Sequence, residues 1–85
     1  MTTFTFEVVV TLKPGLSDPA GKAVGSSLSA LGWTNVTNAK VGKHIVLDVE
    51  AADEGAARAQ VDDMATRLLS NPVIEDFRIV EVAAT

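Results

Sequence analysis

The chain has no cysteine and no tyrosine, one histidine, one tryptophan and three prolines in 85 residues. Without cysteine there is no disulfide framework, no thiolate nucleophile and no cysteine-ligated metal. A lone histidine is poor material for a metal centre, which needs several convergent donors. Few prolines beside 47% hydrophobic residues exclude a disordered chain. Basic residues are scarce, seven Lys and Arg against eleven Asp and Glu for a net charge of −4. Nucleic-acid binders concentrate positive charge, and no such concentration occurs. No apolar run is long enough to span a bilayer. The start, MTTFTFEVVV, has no basic leader, so neither signal peptide nor anchor is expected, and the cytoplasm is the expected compartment.

What is present reads as one domain over residues 1–85, with room for a single core. From Phe4 to Lys13 the residues alternate, with Phe4, Phe6, Val8, Val10 and Leu12 on one side; this period of two predicts a strand over 4–13. Pro14-Gly15 ends it. Asp18-Pro19 starts a helix over 19–31, Asp18 accepting an orphan amide and Pro19 lacking one to waste. Its expected buried stripe is Ala20, Val24, Leu28 and Leu31. Gly32 is placed to stop it, and Trp33 is expected to cover the edge of the core.

The stretch VTNAKVGKHIVLDV, Val36 to Val49, reads as strands 36–41 and 44–50 joined by a two-residue turn at Gly42-Lys43. Ala39 then faces Val46 and Val41 faces His44. Neither face of this hairpin is cleanly polar, which points to contact with another subunit. Asp53 caps a helix over 53–69 with Ala57, Val61, Met64, Ala65 and Leu68 inward. Glu54–Arg58 and Asp63–Arg67 are expected i,i+4 pairs on its surface. A last strand spans 76–82, with the inward side left open. The order βαββαβ predicts an α+β, ferredoxin-like two-layer sandwich, its antiparallel sheet in the order 4-1-3-2 and both helices on one face.

The candidate chemistry is sparse. His44 has no sequence-adjacent acid, so a structural or interface role is expected. No pair of carboxylates is held at a spacing that acid–base work requires, the serines have no evident base, and the glycines make no phosphate loop. Lys13, Lys40, Lys43 and Arg78 sit at strand ends or on strands. They fit either contact with a partner's carboxylates or a phosphate, or edge charges that discourage unwanted sheet pairing.

The segments VTLKPGLSDPAGKAV, KVGKHIVLDVE and LLSNPVIEDFRI closely resemble the PurS family, the small subunit of phosphoribosylformylglycinamidine synthase in purine biosynthesis. The likeness rests on Lys13-Pro14-Gly15, on Asp18-Pro19 with Gly21, on Val41-Gly42-Lys43, and on the run Asn71 to Asp76, in order along nearly the whole chain. It implies a subunit without catalytic residues, which binds no metal or cofactor itself. That subunit bridges a glutaminase subunit and a large synthetase subunit of a complex using ATP and magnesium, with a part in ammonia transfer. It also implies self-association as a dimer or tetramer, with no membrane or nucleic acid among the partners. Lys13, Asp18, Gly42, Lys43, Asn71, Glu75 and Asp76 become candidates for structure or partner contact, joined by Lys40 and His44, where family members often carry Arg and Tyr. Phe77 likewise stands where Tyr is common. The alternative reading of the same fold is a dimeric regulatory domain that senses a small molecule.

Overall fold

The computed structural model describes residues 1–84. Strand β1 spans Thr2–Leu12, helix α1 Pro19–Ala30, strand β2 Lys43–Ala51, helix α2 Glu54–Met64 and strand β3 Glu75–Ala84. A five-residue π turn, Ala65–Leu69, continues α2. The sheet order is β2-β1-β3, antiparallel throughout. In the ferredoxin-like plan these are the third, first and last strands.

The alternation in β1 does what its chemistry requires. Phe4, Phe6, Val8 and Val10 are buried, and all but Phe4 are closed to solvent. They pack under Ala57, Val61 and Ala65 of α2 and its π turn, beside Val49 and Ala51. The inward side of β3 is set by its register: Val10 lies opposite Phe77, Val8 opposite Ile79 and Phe6 opposite Glu81, so those three point to the core side. Asp53 caps α2, its carboxylate accepting from the Ala56 amide at 2.8 Å. Ser70 closes the π turn: its amide donates to the Ala65 carbonyl at 2.9 Å and its hydroxyl donates to the same oxygen at 2.8 Å.

That turn corrects the expected helical stripe. A π turn takes one residue more than an α turn, so the side chains beyond it are rotated about the helix axis. Leu68, within the turn, is 81% exposed and Ser70, just after it, is buried, whereas Met64 precedes the turn and is exposed on α2 itself. Arg67 still pairs with Asp63 at 3.4 Å. Arg58 instead lies over the Phe6 ring, 5.7 Å from its centre, rather than pairing with Glu54.

The larger correction concerns residues 36–41. They form no strand, and no hairpin turn closes at Gly42-Lys43: the chain runs through Val36–Gly42 without turn or bend and enters β2 at Lys43. A two-residue primed turn needs positive φ, and among the glycines only Gly15 and Gly32 have it. Gly42 is required for another reason: a Cβ there would collide with the Val10 carbonyl.

Helix α1 forms as its sequence dictates, with Asp18 as cap, Pro19 in the first turn, and Gly32 at φ 110° letting the Trp33 amide return to the Leu28 carbonyl at 3.0 Å. It does not pack on the sheet. Gly21 is its one buried residue; Val24 is 43% and Leu31 72% exposed, and Trp33, at 56%, covers no core. Residues 14–42 are therefore an arm. The Cα radius of gyration is 16.4 Å, against about 12 Å for a compact chain of this length.

Candidate functional site

Five of the nine candidate residues meet at one end of the sheet. Lys13, just past β1, donates its backbone amide to the Ile74 carbonyl at 2.8 Å and its ammonium to Asp76 at 3.0 Å. This fixes the start of β3 against the end of β1. Asn71 organises the preceding turn: its side-chain oxygen accepts from the Val73 amide at 3.1 Å, and its carbonyl accepts from the amides of Ile74 and Glu75. Glu75 returns the contact by accepting from the Asn71 amide at 2.7 Å. Lys43, at the first position of β2, donates to the Leu69 carbonyl at 2.9 Å and lies 3.5 Å from Glu75. A cation on the last carbonyls of a helical segment complements its dipole. Lys43 thus ties three elements together. The result is an ion-paired edge in which both lysines are already engaged.

The other four lie elsewhere. Asp18 is the latch of the arm: one carboxylate oxygen accepts from the Gly21 amide at 2.8 Å and the other from the Val41 amide at 3.0 Å. These amides, Gly21 first, hold its pKa below the ordinary value, with a smaller contribution from the charge of Lys40. Gly42 is pressed against the β1 backbone at Val10. His44 is on the opposite sheet face, where Glu7 accepts or shares a hydrogen bond with its Nε2 at 2.9 Å.

Sequence reasoning missed that glutamate because it lies on another strand. Only the register Val9 to His44 brings Glu7 to the diagonal position. It also missed Glu81, whose Oε2 is buried without a hydrogen-bond partner. The neighbouring Glu54 carboxyl raises the Glu81 pKa, with burial and mutual repulsion adding to it. Alternation of inward residues along β3 was the signal that could have found it. Among the described residues no three His, Asp or Glu side chains gather as a metal site. No helix is long and apolar enough to cross a membrane.

Fold and site together define a ferredoxin-like α+β module with an ion-paired sheet edge and an arm that lies off its own sheet. The model of the PurS family, described as phosphoribosylformylglycinamidine (FGAM) synthase, matches residues 5–83. The chain belongs to the PurS family, the small subunit of that synthase, an enzyme of purine biosynthesis. A PurS subunit from Synechocystis is 47% identical over 70 residues, spanning 82% of this chain and 70% of that one. The Bacillus subtilis PurS subunit is 35% identical over 83 residues, spanning 95% and 98%. Among solved structures, a chain of PurLQS from Thermotoga maritima superposes with a TM-score of 0.90 at 30% identity, over 96% of this chain and all of that one. Bacillus subtilis PurS gives 0.83 at 32%, over 94% and 99%.

Proposed function

We propose that this subunit performs no chemistry itself and instead couples two others, holding the glutaminase subunit against the ATP-dependent synthetase subunit so that ammonia released at one site is used at the other. ATP and magnesium belong to the synthetase; this chain binds neither, and it works in the cytoplasm. The reading is supported by the Thermotoga maritima likeness, since that relative is seen within PurLQS. An ion-paired edge beside an unpacked arm suits a part whose work is contact.

The working form is a dimer in which the two copies exchange arms. The observation that carries this is the surface left open by one chain. Its accessible area is 5660 Å², whereas a compact 8.9 kDa chain exposes about 4,800 Å². The excess, about 850 Å², is close to the roughly 800 Å² each partner gives to a standard interface. The occupant is encoded in the chain itself. Segment 36–41 is the missing second strand, β2 has an open edge where that strand belongs, and Val24, Leu28 and Leu31 are the missing helix face. Extending a hinge and trading an identical element satisfies all three in a symmetric pair. The arm carries one acid against two bases, the remainder ten acids against five bases, so arm and body attract.

The test is glutamine-dependent and ammonia-dependent turnover by the other two subunits as this chain is titrated in. Glutamine-dependent turnover should rise and saturate at a fixed ratio while ammonia-dependent turnover changes little. If both are unaffected and no complex forms, the coupling role is wrong.

A further inference from the structure

One carboxyl group stands on the core side of the sheet. Glu81 lies opposite Phe6 in register, beside the shift in pairing between Thr5 and Phe6. Its Oε2 is closed to solvent, and among the described residues no N–H or O–H donor reaches it. Two side chains of α2 converge on the same place. Glu54, in the first turn, meets Glu81 carboxyl to carboxyl. Arg58 lies over the Phe6 ring, 5.7 Å from its centre, and forms no ion pair among the described residues.

This arrangement conflicts with the helix spacing. Glu54 and Arg58 stand four apart with the acid first, the order that favours an ion pair, yet the guanidinium rests on an aromatic ring. A shared proton accounts for both observations. Ionised carboxylates only accept, so Glu54 and Glu81 form a bond only when one of them keeps a proton. The hydrogen bond to Glu54 is the main cause that holds a proton on Glu81 above the ordinary carboxylate range. Burial and the Glu54 charge add to it, and the Arg58 charge opposes it. Among the described residues no other charge acts on Glu81. From β1 it meets Phe6, with Phe4 and Val8 to either side on the same face; the next inward residue of β3 is Ile79, and Asp53 is engaged by the Ala56 amide.

We infer that Arg58 is the moving part of a proton-driven switch: it rests on the Phe6 ring while Glu54 and Glu81 share a proton, and turns to bridge the two carboxylates when that proton leaves for solvent. Two like charges in contact disfavour each other unless an opposite charge lies close, and Arg58 is the cation in reach. Glu54 is one turn before it on the same helix face, and Glu81 lies beside the ring that it covers. A planar guanidinium fork suits two carboxylates at once. Its departure uncovers the margin of the core between α2 and β3, where Phe6 is otherwise closed to solvent. Protonation thereby sets whether this side of the module presents a covered aromatic edge or an ion-paired rim.

The test is a pH titration of the intact protein by NMR, reading the side-chain carboxyl carbon of Glu81 and the δ-methylene protons of Arg58. Protons held over a ring are displaced upfield. The Arg58 signals should be upfield on the acid side and move downfield with the same midpoint as the Glu81 carbon. Glu81→Gln, which keeps a donor facing Glu54, should hold them upfield throughout. Arg58→Met, which removes the counter-charge, should move the Glu81 midpoint to higher pH, toward neutrality and away from acid unfolding. Arg58 signals that stay fixed while Glu81 titrates, or that still move in Glu81→Gln, would overturn the switch. So would a Glu81 midpoint left unchanged by Arg58→Met.

Discussion

Phe6→Ala and Leu68→Ala should differ sharply, although both remove large apolar side chains. Phe6 is closed to solvent, between Leu47 and Glu81 in register and beneath the Arg58 guanidinium. Truncating a buried Phe costs about 3–5 kcal/mol, and the lost cation–π contact adds roughly 0.5–1 kcal/mol at an exposed arginine. A domain of this length has a total stability of about 4–13 kcal/mol, so Phe6→Ala should remove about a quarter of it or more. At about 4–8 °C per kcal/mol, the melting point should fall by at least about 12 °C. Leu68 is 81% exposed, and its truncation should stay within about 0.5 kcal/mol. A regular α-helix through Leu69 would bury Leu68 and make its loss cost about 2–5 kcal/mol. The assay is urea unfolding of both variants at one protein concentration, because assembly adds to apparent stability. Equal losses for the two would refute the π turn and the packing built on it.

Three other variants probe single contacts. Glu81→Gln should stabilise the protein near neutral pH and leave it unchanged in acid. A carboxyl whose folded pKa is raised contributes stability below its unfolded pKa and loses it as pH rises through the folded value, so the gain should vanish in melts run below about pH 4. Gly42→Val should weaken pairing of β1 with β2, because its Cβ meets the Val10 carbonyl; urea unfolding should show a loss above about 1 kcal/mol, and a neutral result would contradict the close approach. Lys13→Met should cost less than about 1 kcal/mol in the same assay, since its pair with Asp76 is solvent-exposed on both sides; a larger loss would mean that the ion-paired edge carries stability as well as shape.

Where the sequence could be read, local chemistry decided the outcome. Alternation from Phe4 to Val10, the caps at Asp18 and Asp53, and the stop at Gly32 each act within a few residues, and each forms as expected. The hairpin did not, because the residues that favour a strand at 36–41 are satisfied equally by pairing with their own β2 or with that of another copy. Nothing local at Gly42-Lys43 distinguishes a turn from a straight hinge. Trp33 and the α1 stripe mislead for the same reason: an apolar face says that something covers it, not which chain. Leu68 was misplaced because a single added residue at the π turn carries no periodic signal. Of the site, Lys13, Asn71, Glu75 and Asp76 came together by being near strand ends, while the Glu7 partner of His44 depended on a register that only the folded sheet fixes.

The most direct test of the account uses the absence of cysteine, which makes an introduced pair unique. Ala39→Cys with Val46→Cys in one chain places the two thiols opposite each other in the register a 36–41 strand would take on β2. After mild oxidation and denaturation without reductant, arm exchange predicts covalent dimers of twice 8.9 kDa. A chain cross-linked to itself, running as a monomer of altered mobility, would show that the hairpin closes within one copy and would contradict the exchange.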